Sequence, residues 1–113
     1  MFETILKALP RKSADLEAKL HGVNGFTGRG EIEFVAWKSG AKEMEVELRG
    51  VAGRNAEIYA DDVHIMTVSF DNGRLDQTFN TRKGDVLPDL IEGARVDVRQ
   101  NNEIILEGVL IPD

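Results

Sequence analysis

Cysteine is absent from this chain of 113 residues. That excludes a disulfide framework, a thiol nucleophile and a thiolate metal site. Histidine occurs twice, at His21 and His64, and tryptophan once, at Trp37. The Cys…Trp…Cys core of antibody-type domains is therefore missing. No apolar run approaches the roughly 20 residues that span a bilayer. The opening Met-Phe-Glu-Thr-Ile-Leu-Lys has no basic region followed by a long apolar one, so a cytoplasmic protein is expected. Neither a Gly-x-Ser-x-Gly elbow nor a phosphate-cradling loop occurs, so neither an enzyme nor a cofactor is expected.

Positive charge is scarce in the second half of the chain. The net charge is −6. Residues 1–54 carry nine Lys/Arg and eight Asp/Glu, whereas residues 55–113 carry five and twelve. An acidic chain repels phosphate backbones, which argues against nucleic acid as a partner. The length fits one domain over 1–113, with residues 1–12 as an N-terminal helix and linker.

What is present is alternation. Leu-x-Gly-Val occurs three times, at 20–23, 48–51 and 106–109, each where a run of alternating apolar residues stops. The recurrence predicts an all-β protein that reuses a hairpin-sized unit. Ile32, Phe34 and Ala36 alternate with Glu31, Glu33 and Val35; Met44, Val46 and Leu48 alternate with Glu43, Glu45 and Glu47. This pattern predicts a hairpin with one apolar and one acidic face. Keeping the apolar faces together requires even residues to oppose even ones, hence a three-residue loop around Gly40.

A second hairpin is predicted over Ala56–Ala60 and Val63–Phe70, turning at Asp61-Asp62, and a last one over Val96–Gln100 and Glu103–Leu110, turning at Asn101-Asn102. These two segments align if one residue slips. Asn72-Gly73 is the strongest turn signal and the expected site of the tightest hairpin. Residues 81–93 read as a long connection crossing an end of the fold. Residues 14–22 fit a strand or a helix, and the shared ending favours the strand.

Turn spacing predicts an all-β, antiparallel β-sandwich or closed barrel of about seven to eight strands with a short N-terminal helix. The predicted interior holds Ile32, Phe34, Val46, Leu48, Ile58, Ile65, Phe70, Leu75, Phe79, Val96, Val98 and Leu106. Ala18-Lys19-Leu20-His21-Gly22, then Thr27–Phe34, then Val46–Val51 resemble bacterial CHRD and copper/zinc superoxide-dismutase-like sandwiches. In those families Ala-x-Leu-x-Gly precedes a Gly-led strand, and a later strand closes on Leu-x-Gly. The resemblance implies an eight-strand Greek-key sandwich. The clustered histidines those dismutases need are missing, which removes redox-metal catalysis from the expectation.

Three constellations carry candidate chemistry. Glu31, Glu33, Glu45 and Glu47 share one predicted face, a set of hard oxygens suited to a divalent cation or a solvated surface that opposes edge association. With no loop carbonyls beside them, no tight calcium site is expected. Tyr59 and His64 oppose each other if Asp61-Asp62 is a two-residue turn, as a cross-strand pair or an acid/base couple. Phe2, Ile5, Leu6 and Leu9 recur at helical spacing before Pro10 and form the expected protein-interaction stripe. The resulting expectation is a non-enzymatic interaction or structural module that forms a homodimer or takes a protein partner through its N-terminal segment. The alternative is a module binding a small molecule or divalent cation.

Overall fold

The computed structural model describes residues 11–113. The chain is all-β. Nine strands follow in order: β1 Lys12–Gly22, β2 Arg29–Trp37, β3 Lys42–Arg49, β4 Asn55–Ala60, β5 Val63–Ser69, β6 Arg74–Asn80, β7 Arg95–Gln100, β8 Glu103–Val109 and β9 Ile111–Pro112. They form one nearly closed antiparallel sheet, ordered β5-β4-β7-β8-β1-β2-β3-β6, with β9 added against β1. The count exceeds the expected seven to eight because the chain steps at buried Leu110 and re-pairs with β1 through Ile111 and Pro112. Among the described residues the helical structure is a single 3-10 turn, Thr81–Lys83. The expected N-terminal helix lies outside them.

Residues 14–22 are strand, with Leu16, Ala18 and Leu20 buried on one face. The β2–β3 hairpin has the register that parity demands: Ile32 faces Val46 and Phe34 faces Met44. Trp37 N–H donates to Ala41 O at 2.9 Å around a three-residue loop, with Gly40 at φ 96°. Had the loop been one residue shorter, every apolar side chain of one strand would face water. Ten of the twelve predicted interior residues are buried. Ile65 and Phe79 are half-buried against the core.

Asn72 and Gly73 both adopt left-handed backbone, φ 56° and 70°, and close an Asp71–Arg74 bridge. The expected hairpin does not follow, because beyond this corner β5 pairs with β4 and β6 with β3. The corner is held from outside: Phe70 N–H donates to Arg54 O at 2.8 Å, and Val51 N–H to Gly73 O at 3.3 Å. The tight turn thus joins the two edges of the sheet.

The three Leu-x-Gly-Val glycines have separate reasons. A Cβ on Gly22 would sit 2.0 Å from Phe26 O, and one on Gly108 2.2 Å from Lys19 O. Gly50 instead takes φ 70° at the end of β3. The motif marks three different constraints and not one reused unit. The connection after β6 crosses an end of the fold as expected, burying Leu87 and Leu90.

Candidate functional site

Two surfaces concentrate unusual chemistry: an acidic sheet face and an apolar end. On the first, Glu31 faces Glu47 and Glu33 faces Glu45. The neighbouring strands extend the set. Glu17 on β1 faces Glu33, and Asp76 on β6 faces Glu47. The carboxylates of Glu17, Glu31 and Glu33 lie within 4.8 Å of one another, as do those of Glu45, Glu47 and Asp76. One register step away Arg29, Arg49 and Arg74 stand side by side, and Arg49 bridges to Glu47 at 3.1 Å.

This crowding raises two glutamate pKa values. Burial, the Asp113 charge and a shared hydrogen bond with Glu31 lift Glu17 above its ordinary 4.5. Burial, then Asp113, Glu31, Glu45 and Glu17, lift Glu33. A carboxylate with a raised folded-state pKa binds more protons folded than unfolded, so it costs stability above that pKa and the cost disappears as pH falls through it. Glu33→Gln is therefore expected to raise the melting midpoint at neutral pH, and its advantage to shrink as the pH is lowered through the raised Glu33 pKa into the ordinary carboxylate range. Midpoints of both proteins measured across that range check this; a pH-independent difference would contradict it.

Tyr59 and His64 do pair across the β4–β5 turn, edge to face with ring centroids 5.4 Å apart. The nearby carboxylates are engaged elsewhere. Asp61 accepts from Arg95 N–H at 2.9 Å, and Asp62 from the Arg95 and Arg99 guanidinium groups at 3.0 and 2.9 Å. Tyr59 donates to Glu57 at 3.4 Å, and His64 Nε2 meets Thr67 Oγ1 at 3.1 Å. The pair is locked into a cross-strand contact. Beneath it Arg99 stacks on the Tyr59 ring, 3.8 Å from its centroid, and covers fully buried Asp97.

The apolar end lies where the β4–β5 turn meets the 86–94 connection. Val63 and Ile91 are each 66% exposed there, against the trend for large apolar groups. A cleft of about 280 Å³ runs between Val63, His64 and Ile65 on one side and Pro88, Leu90 and Ile91 on the other. A second of about 370 Å³ continues past Leu90 to Ala14, Phe34 and Ala36. Lys42 Nζ holds the connection in place through Leu87 O at 3.1 Å and Asp89 at 2.8 Å. The described chain begins beside this end, where Lys38 N–H donates to Arg11 O at 2.8 Å. The predicted interaction residues Phe2, Ile5, Leu6 and Leu9 lie outside the described residues. Comparison with known proteins adds no relative: no family model matches the chain, and no curated protein does.

Proposed function

We propose that this chain is a non-enzymatic protein-interaction module whose contact surface is the apolar end around Val63 and Ile91. The observation that carries the reading is the exposure of Val63 and Ile91 on a cleft with largely apolar walls. In sequence, Phe2, Ile5, Leu6 and Leu9 precede the described residues and supply four further apolar side chains for such a contact. Exposed groups of this kind gain by burial against a partner, at about 25 cal/mol per Å² before ordering costs. Kinship with the CHRD and superoxide-dismutase-like Greek-key sandwiches belongs to the same proposal. His21 beside Arg29 and His64 beside Tyr59, on separate strands, support a relative without their metal chemistry.

Sedimentation velocity on the full chain tests the interaction. Self-association is expected, weakened about tenfold by Ile91→Lys, which corresponds to about 1.4 kcal/mol. An Ile91→Lys protein that sediments as the parent does at every concentration would contradict the reading. The second reading, a cation-binding module, draws on the carboxylate triads of Glu17/Glu31/Glu33 and Glu45/Glu47/Asp76. A melting midpoint that rises with calcium, and no longer does so in Glu33→Gln, would favour it over the first.

A further inference from the structure

The β4–β5 and β7–β8 hairpins repeat one another at an offset of 40 residues, without the slip that sequence alignment suggested. Asp61-Asp62 and Asn101-Asn102 are two-residue turns with every φ between 46° and 65°. Each hairpin carries a bulge at the same place. Pairing jumps from Ile58–Met66 to Tyr59–His64, leaving Ile65 extra, and from Val98–Leu106 to Arg99–Ile104, leaving Ile105 extra. Gly53 and Gly93 precede the hairpins at φ 83° and 87°. At the far ends Phe70 N–H donates to Arg54 O at 2.8 Å, and Leu110 N–H to Ala94 O at 2.9 Å.

The two copies meet about a local two-fold axis. Ile58 pairs with its own counterpart Val98, flanked by Glu57–Arg99 and Tyr59–Asp97. β5 is thus the counterpart of β8, at the opposite side of the four-strand block. β8 takes a strand on its outer edge: Leu106 pairs with Gly22 and Glu107 with His21 of β1. The matching residues Met66 and Thr67 of β5 face no strand among the described residues.

Edge strands are normally protected by charge or proline. The other edge, β6, carries Arg74 and Asp76. Val63-His64-Ile65-Met66-Thr67-Val68-Ser69-Phe70 has no Asp, Glu, Lys, Arg or Pro. Its bulge does not prevent pairing, because β8 accepts β1 directly beyond the same bulge.

We propose that a second copy of this chain pairs its β5 antiparallel to this one over Thr67–Ser69, Val68 facing Val68 on the axis, extending the sheet across a two-fold dimer. Self-pairing sets an uncharged segment against itself, so a chain of net charge −6 meets no like-charge opposition there. A two-fold contact also closes the assembly, leaving no β5 edge for further addition. The added strand runs straight on. β1 folds over β8 by approaching Gly108, and Val68 occupies that position in β5. The proposal rests on the protein-interaction reading and assigns it a mode, strand addition.

Thr67 supplies the test. Because Phe70 bonds to Arg54, the alternation of antiparallel pairing turns the Thr67 N–H away from β4. Thr67→Pro therefore spares the internal ladder and blocks an added strand, and Thr67→Lys places a charge on the edge. Sedimentation equilibrium of the full chain should give a dimer at about 100 µM, and both variants should be monomeric with unchanged circular dichroism. If Thr67→Pro fails to fold, Thr67→Lys decides alone. A monomeric parent, or a dimer that survives in the folded variants, overturns the proposal. A dimer weakened by Ile91→Lys and untouched by both Thr67 variants would overturn strand addition while leaving the interaction reading standing. Thr67 and Ser69 amides protected from exchange in a monomeric parent would place another segment of the same chain on the edge, and would overturn it too.

Discussion

Replacing Arg99 with alanine is expected to destabilise the fold by about 3–5 kcal/mol, because it strands a buried carboxylate. Asp97 is fully buried on β7, and both of its oxygens accept from Arg99, at 2.7 and 3.2 Å. Among the described residues no other donor reaches that carboxylate. Arg99 is itself only 19% exposed, held against the Tyr59 ring and bridged to Asp62 at 2.9 Å. The hydrogen bond and charge of Asp97, with lesser contributions from Asp62, hold its guanidinium pKa above the ordinary value, so the guanidinium stays charged. Urea denaturation of Arg99→Ala, Asp97→Val and the double variant checks the account. The double variant should lose less than the sum of the singles, since it leaves no unpaired charge. A loss below about 1 kcal/mol in Arg99→Ala would mean that water reaches Asp97.

The second large effect is steric. Gly108 has no positive φ to explain it, yet a Cβ there would lie 2.2 Å from Lys19 O and 3.0 Å from Lys19 C and Leu20 Cδ2. Two of those atoms are backbone, so β8 and β1 would have to part where β1 joins the two halves of the sheet. Gly108→Ala is expected to cost at least about 3 kcal/mol, at or beyond the upper end of ordinary overpacking. Gly84→Ala is the control. Its φ of 95° strains any side chain, but nothing lies within 4 Å. The expected loss there is about 1–2 kcal/mol. Equal midpoints for the two variants would contradict the close approach.

The β2–β3 hairpin was legible because each strand is half-buried, so alternation reported both faces and parity fixed the loop. Partner choice beyond adjacent strands was not legible. Asn72-Gly73 has the chemistry of a hairpin turn, and nothing local records that β5 and β6 leave it for different neighbours. The burial of Asp97 was also hidden. Alternation puts it on the outer face, and its cover comes from Arg99 and from Tyr59 on another strand. The repeated hairpin keeps its bulge, its turn and a leading glycine while changing most side chains, so sequence alignment caught it only with a false slip. For the acidic face, Glu31, Glu33, Glu45 and Glu47 were readable together; Glu17 and Asp76 join only through the registers of β1 and β6. Val63 and Ile91 are brought together by the crossing connection, which no periodicity announces.

The most direct measurement is hydrogen exchange on the full chain at two concentrations, dilute and about 100 µM, spanning a dissociation constant of about 1 µM. Amides of 63–70 and of the 86–92 connection should become more protected at the higher concentration, while those of the β2–β3 acidic hairpin stay unchanged. Exchange that is independent of concentration over 63–70 and 86–92 would contradict the claim that this side of the sheet binds another copy of the chain.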